Sequence, residues 1–490
     1  MEDLILGAYF TSLLVLFLFG SHSFVMIYFY YKHQQWKPEA DQQGGFEPVV
    51  TIQLPIFNEL YVVERLIDAV CNIDYPKDKL EIQVLDDSTD ETVEKVEQLV
   101  EERRRQGFDI VHLHRSNREG YKAGALREGL KATRGEFIAI FDADFVPRPE
   151  FLRRTLPYFT NPKIGMVQTR WEHLNSEYSF LTRAQAMALD GHFVIEQQVR
   201  NKAGFFINFN GTAGIWRKTC IIDAGNWEDD TLTEDLDLSY RAQLRGWKFV
   251  FLNDVTSPAE LPSEINALKS QQFRWTKGAM ETARKILPRV WKSNLPLRIK
   301  LQSTVHLTNN LVFPFILLAG ILNVPLIFIK QSGAHNTYFA FMSIFVLAFI
   351  GSFLFYLYSQ KDVYMDWRRR IFLFPIFMAG SMGFSVNNTR AVLSGIFGRK
   401  KSEFVRTPKF RIESEKDRWT GKKYAGTDSK MPKGVFLEVF LAAYCFFGVV
   451  ASIYFLEIAA LPFQLLFFFG FSLVGWMSIQ HARLSRVYAT

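Results

Sequence analysis

The chain has 490 residues, 48% hydrophobic and 22% charged, with 47 Phe against 3 Cys and a formal net charge of +7. That apolar content excludes a disordered chain, and that charge content excludes a bundle of membrane spans with nothing attached. A mean hydropathy of +0.01 fits either one ordinary globule or two unlike parts averaged together, and the order of the residues decides between them. At about 100 to 200 residues per domain the length allows two to four units. Cys71, Cys220 and Cys445 are widely separated and form no CxxC pair, so neither a disulfide framework nor a zinc site is indicated.

Leu4 to Tyr31 is almost free of charge and long enough to cross a bilayer core of roughly 30 Å. Glu2 and Asp3 precede it and Lys32 and Lys37 follow, which sets its C-terminal end on the cytoplasmic side. The run lacks the basic start and cleavage site of a secretory signal and reads as an uncleaved anchor. Apolar runs return at Val305 to Ile329, Tyr338 to Tyr358, Val435 to Leu456 and Leu461 to Ile479, giving five spans in all. Ile371 to Val386 is shorter, contains Pro375, Gly380 and Gly383, and is basic on both flanks. It is therefore expected to be interfacial or re-entrant, with the N-terminus outside and the C-terminus inside. Arg399 to Lys433 carries 12 basic and 5 acidic residues, a surplus that suits anionic headgroups, an anionic substrate or simply a solvated loop.

Between the anchor and the later spans, Pro38 to about Lys300 alternates strand-like and helix-like patches. Strands are expected at Pro48 to Leu54, Leu80 to Leu85, Asp109 to His112 and Glu136 to Phe141. Helices are expected at Leu60 to Asn72, Glu91 to Arg105 and Ala123 to Ala132. This alternation predicts an α/β domain with a mostly parallel sheet covered on both faces, inserted between transmembrane helices. In such domains ligands sit at the carboxyl ends of the strands.

Acidic groups fall at those ends. Asp142 and Asp144 follow the fourth strand with one residue between them, so in extended backbone both carboxylates face one way. A divalent cation shared with a diphosphate resolves their repulsion, and hard oxygen ligands favour Mg²⁺ or Mn²⁺. Asp86 and Asp87 follow the second strand and can accept hydrogen bonds from a base or ribose, or merely cap a turn. Lys122 and Arg127, in a glycine-containing stretch, can offset phosphate charge, although no P-loop spacing is present. Thr233 is a plausible N-cap for a helix whose first turn holds Glu234 and Asp235, where acids are favoured by the helix dipole alone or serve as a general base. Within a later helical stretch, Arg274 offers a planar fork for a diphosphate and Trp275 a face for a sugar ring.

The motifs Asn58-Glu59, Asp86-Asp87-Ser88, Lys122-Ala123-Gly124, Asp142-Ala143-Asp144, Phe209-Asn210-Gly211-Thr212, Thr233-Glu234-Asp235 and Gln271-Gln272-Phe273-Arg274-Trp275 occur in one order. Together they resemble the membrane-embedded family-2 glycosyltransferases of the cellulose synthase superfamily. The wording is most similar to the cellulose-synthase-like mannan and xyloglucan-backbone (glucan) synthases and their prokaryotic relatives. The resemblance implies a GT-A domain at 38–300, an anchor at 1–37, and transmembrane or interfacial helices at 301–490 with a gating-type loop at 399–433. It implies Glu59, Asp86, Asp87, Lys122, Asp142, Gln271 and Arg274 on the nucleotide-sugar donor, and Asp142 and Asp144 on Mg²⁺ or Mn²⁺. Asp235 with Glu234 would supply the catalytic base. Trp275, Phe209, Asn210, Gly211 and Thr212 would lie at the acceptor. Phe404, Thr407 and Lys409 match the gating loop, although Arg406 stands where the family has Val.

The expected activity is metal-dependent, inverting elongation of a β-linked polysaccharide (β-glucan or β-mannan) from a UDP-glucose or GDP-mannose type donor, coupled to export. The alternative is transfer of one sugar to a lipid acceptor. The expected partners are the donor, a growing glycan or lipid acceptor and the bilayer, with no nucleic acid. The catalytic domain is expected to be cytoplasmic, in a plasma, inner or Golgi-type membrane.

Overall fold

The computed structural model describes residues 1–40, 45–398, 404–425 and 434–487. Seven strands form one sheet: β1 (Val50–Ile56), β2 (Leu80–Asp86), β3 (Asp109–His114), β4 (Phe137–Ile140), β5 (Ile164–His173), β6 (Gly214–Arg217) and β7 (Lys248–Ala259). Their order is β3-β2-β1-β4-β6-β5-β7. β1 runs parallel to β2 and β4, β2 to β3, and β5 to β7, so the expected mostly parallel GT-A sheet is present. The exception is β6, which runs antiparallel to both β4 and β5 and joins the two parallel halves.

β1 starts two residues later than the apolar run suggests and continues through Pro55. Proline is tolerated there because pairing with β4 ends at Gln53, so the position lacks a partner needing its missing N–H on that side. One face of the sheet is covered by the helices Val63–Cys71 and Thr92–Arg105. Val63, Leu66, Ile67 and Val70 recur at helical spacing and are all buried, each worth about 1.5–3 kcal/mol. The other face is closed by the helix Tyr121–Ala132 and by Trp216 and Trp227, both fully buried.

Among the described residues, five helices are long and apolar enough to cross a membrane: Glu2–Lys32, Leu297–Gln331, Asn336–Val363, Gly434–Tyr454 and Leu461–Leu484. They coincide with the five expected runs. Around the doubtful segment the chain forms a bent helix pair, Trp367–Gly383 and Ser385–Phe397, at 47°. A Cβ on Gly383 would lie 2.2 Å from the carbonyl oxygen of Gly470, inside the last span. This backbone contact between small residues packs the segment closely against that helix, and the bend gives the pair the form of a broken span or a re-entrant loop.

Candidate active site

A cavity of about 520 Å³ opens at the carboxyl ends of β1, β2 and β4, bounded below by the helices Glu234–Leu244 and Ile265–Lys292. At one end of it, the Asp87 carboxylate accepts a two-pronged contact from Arg115, Nε to Oδ1 at 2.7 Å and Nη2 to Oδ2 at 2.5 Å. Arg115 also donates to the carbonyls of Glu119 and Tyr121, tying the end of β2 to the loop that presents Lys122. Asn58 adopts a left-handed φ of 54° and accepts a hydrogen bond from the Thr89 N–H at 2.9 Å, which locks the loop after β1 to the loop after β2.

Lys122 Nζ donates to Asp142 Oδ1 at 2.5 Å and to the Gly211 carbonyl at 2.8 Å. Burial works against its ammonium, but Asp142 and Glu234 outweigh that and hold its pKa above the ordinary range. Burial pushes the Asp142 carboxyl up, opposed by Lys122 and assisted by repulsion from Asp144. Mutual repulsion of two carboxylates at the carboxyl end of β4 is the chemistry that a hard divalent cation satisfies, so the pair fits one. The Asp142 N–H donates to Thr212 Oγ1 at 2.9 Å, fixing the strand end on which the pair sits.

Gly211 brings the FNGT segment against Asp235. Its φ is 81°, and a Cβ there would come within 3.1 Å of Asp235 Oδ2. Asp235 opens the helix Glu234–Leu244, its Oδ1 accepting from the Leu236 N–H at 2.8 Å. Burial, then repulsion from Glu234, pushes the Asp235 carboxyl up to about 7, and burial also raises Glu234. Gly278 sets the depth of the next helix. A Cβ on it would meet Thr233 Cγ2 at 2.6 Å, so only glycine lets Ile265–Lys292 close on the start of the Asp235 helix and carry Arg274 and Trp275 to the cavity. Burial lowers the Arg274 guanidinium to about 10.

The described part of the basic loop enters the same cavity. Arg274 donates to the Val405 carbonyl and, at 2.9 Å, to Thr407 Oγ1, and its guanidinium lies 4.7 Å from the Phe404 ring centre. Lys409 pairs with Asp144, and Arg406 pairs with Glu59 at 3.1 Å. Burial pushes Glu59 up to about 7 against the pull of Arg406 and Lys409. Residues 399–403 and 426–433 of the expected loop lie outside the described residues.

Most residues expected at the site line this cavity: Glu59, Asp87, Lys122, Asp142, Asp144, Asn210, Gly211, Glu234, Asp235, Gln271, Arg274, Trp275, Phe404, Thr407 and Lys409. Three are placed elsewhere. Asp86 turns its fully buried carboxylate toward His112 and His114. Phe209 is buried between Trp216 and Trp227. Thr212 is buried and acts through its bond to the Asp142 backbone. Arg115, Trp171 and His192 escape a reading based on motifs. Arg115 directly follows β3, where the strand-end rule applied to that strand too would have found it. Trp171 lies on β5, and its ring stands 6.5 Å from that of Trp275. Asn210 Nδ2 donates to His192 Nε2 at 2.9 Å, while His192 Nδ1 meets Glu196 at 3.0 Å. Despite burial, that contact with His192 holds the Glu196 carboxyl well below the ordinary range.

A mostly parallel sheet of this order, with a cavity at its strand ends and an Asp-Ala-Asp after β4, has the GT-A fold. Residues 48–278 match the family model described as glycosyltransferase like family 2. The chain is 44% identical over 280 residues to glucomannan 4-beta-mannosyltransferase 1 of Oryza sativa subsp. japonica, covering 56% of this chain and 53% of that one. It is 47% identical over 262 residues to glucomannan 4-beta-mannosyltransferase 2 of Arabidopsis thaliana, covering 52% and 49% respectively. The chain thus spans about half the length of the curated relatives it matches. These matches bear out the resemblance carried by the seven motifs. Among solved structures, the mannosyltransferase PcManGT from Pyrobaculum calidifontis, in complex with GDP-Man and Mn²⁺, aligns with TM-score 0.56 at 17% identity. That alignment covers 80% of this chain and 99% of that one and is a likeness of fold.

Proposed function

We propose that this protein is a multi-pass membrane enzyme that elongates a β-linked mannan-type polysaccharide from a nucleotide sugar, GDP-mannose first among the candidates, and passes it across the bilayer. Residues 1–37 form an anchor, 38–300 a cytoplasmic catalytic domain, and 301–490 the remaining spans with the gate at 399–433. The observation that carries the reading is the meeting, in one cavity, of the Asp142–Asp144 pair, the raised carboxyl of Asp235 and the Arg274-Trp275 helix. The 44–47% identity to glucomannan mannosyltransferases favours mannose over glucose.

Asp87 with Arg115 frames the nucleoside, and Lys122 and Arg274 hold the diphosphate. Asp142 and Asp144 would hold Mn²⁺ or Mg²⁺, which when bound offsets charge on the leaving diphosphate. A base poised near neutral pH suits proton removal from an acceptor hydroxyl, and Asp235 is such a group. Attack from the face opposite the leaving group inverts the anomeric centre, so an α-linked donor yields a β-glycoside. Trp275 and Trp171 offer ring faces for the acceptor sugars.

A donor panel measuring nucleoside diphosphate release, followed by linkage analysis, tests the reading. GDP-mannose should be turned over at least ~10-fold faster than UDP-glucose, the low end of what a difference in pocket fit supplies, and give β-linked mannose. Preference for UDP-glucose would overturn the mannan assignment and leave the glycosyltransferase one standing.

A further inference from the structure

Asp86, His112 and His114 stand together behind the donor end of the cavity, and none of the three lines it. We propose that they form a second metal site, one for a transition-metal ion of the Zn²⁺ type, distinct from the Asp142–Asp144 pair. The sheet register builds the cluster. His112 and His114 alternate along β3 and so share a face, and the parallel pairing sets Val84 beside His112 and Asp86 beside His114 on that same face. Asp86 Oδ2 is 2.9 Å from His112 Nε2 and 3.7 Å from His114 Nδ1, and all three ligand atoms lie within 4.8 Å of one another. Ligand atoms on a tetrahedral zinc at bonds of about 2.1 Å are about 3.4 Å apart, so small side-chain rotations complete the geometry.

The electrostatics favour a cation. The Asp86 side chain is 0% exposed, yet among the described residues no Lys or Arg pairs with it. Its other oxygen accepts the Ser88 N–H at 2.8 Å, an outer contact that fixes the carboxylate in place. The other cluster of three such side chains among the described residues, Glu228, Asp230 and Asp237, is already occupied by Lys285 at 2.5 to 3.0 Å, with Arg241 also on Asp237. The Asp86 cluster has no such occupant. Two imidazoles and one carboxylate select Zn²⁺, Co²⁺ or Ni²⁺ over Mg²⁺, whose preference is for oxygen alone. His114 is 39% exposed, which leaves the ion a route from solvent and room for a water ligand. No cysteine takes part, which is why cysteine spacing carries no sign of the site.

The location gives the ion a purpose. Asp86 is followed by Asp87 and His114 by Arg115, so a metal bridging β2 and β3 would brace the Asp87–Arg115 pair from behind. β1 lies between β2 and β4, which separates this site from the Asp142–Asp144 pair by two strand spacings, roughly 10 Å. The bracing role rests on the donor-site reading above, whereas the metal site itself does not.

The test uses the full-length protein in detergent, stripped with a chelator and titrated with Zn²⁺ by calorimetry, with Co²⁺ absorption as the spectroscopic signature. The expected result is an equivalent of Zn²⁺ that is retained in the Asp142→Asn/Asp144→Asn variant and lost in His112→Ala and His114→Ala. A Co²⁺ spectrum with imidazole-ligand character should vanish with the same two changes. Because His114 is exposed, His114→Ala keeps the fold even where His112→Ala does not. Zn²⁺ binding that disappears with Asp142 and Asp144, or that survives His114→Ala unchanged, would overturn the proposal. Neither readout needs turnover, so an inactive preparation cannot mimic its failure.

Discussion

At the scale of single residues, Asp235 is the proposed base and Gly211 lies against it. Asp235→Asn should lower turnover by about 10² to 10⁴-fold while leaving nucleotide affinity within a few-fold, read by product formation beside nucleotide titration. The Asp235 carboxyl, pushed up to about 7, is protonated below that pH and competent above it. In the free enzyme kcat/KM should therefore rise with pH through about 7 and then level off. Glu59 is also raised to about 7, so the limb must persist in Glu59→Gln to belong to Asp235. A Cβ at Gly211 meets both a left-handed backbone and Asp235 Oδ2, so Gly211→Ala should cost roughly 1–2 kcal/mol in stability and most of the activity. The acidic motifs were legible in the sequence because strand ends advertise them. The inward turn of Phe209 was not, since a motif shows order along the chain and not which side of a strand end faces the ligand.

Among the elements, the contact of the Ile265–Lys292 helix with Thr233 decides whether Arg274 and Trp275 reach the cavity. Gly278→Val should overpack that crossing by about 1–3 kcal/mol and reduce kcat, and thermal inactivation measured beside kinetics separates the two effects. The Phe404–Lys409 stretch lies across the donor end with Lys409 on Asp144. Lys409→Met should raise the KM for donor about 10-fold or more by removing a charge-assisted contact, and should tighten Mn²⁺ binding in the absence of donor. The parallel half of the sheet was readable because β1, β2 and β4 are apolar runs that stop at acidic or turn residues. β6 was not, since four residues, Gly214–Arg217, show no period, and its antiparallel course depends on the long return through Ile164–Lys202. The close packing of the 374–383 helix rests on its contact with Gly470, which no local pattern encodes.

For the whole molecule, the catalytic domain and the spans are joined at a buried ion pair. Lys269, two residues before Gln271, donates to both oxygens of Glu438 at 2.7 and 2.8 Å, with side-chain exposures of 6% and 2%. Breaking it with Glu438→Gln leaves a buried ammonium and should cost about 3–5 kcal/mol, seen as faster thermal inactivation in detergent. The paired Lys269→Met/Glu438→Leu change should recover most of that loss. The mean hydropathy near zero is thereby accounted for: a charged α/β domain and five apolar helices share one chain and one buried seam. Reconstituting the purified protein in vesicles with GDP-mannose and Mn²⁺, then sizing the product before and after β-mannanase digestion, separates chain elongation from a single transfer. A β-mannan synthase gives a polymer that lengthens with time, is degraded by β-mannanase and disappears in Asp235→Asn. A product that stops at one sugar on a lipid acceptor would contradict elongation.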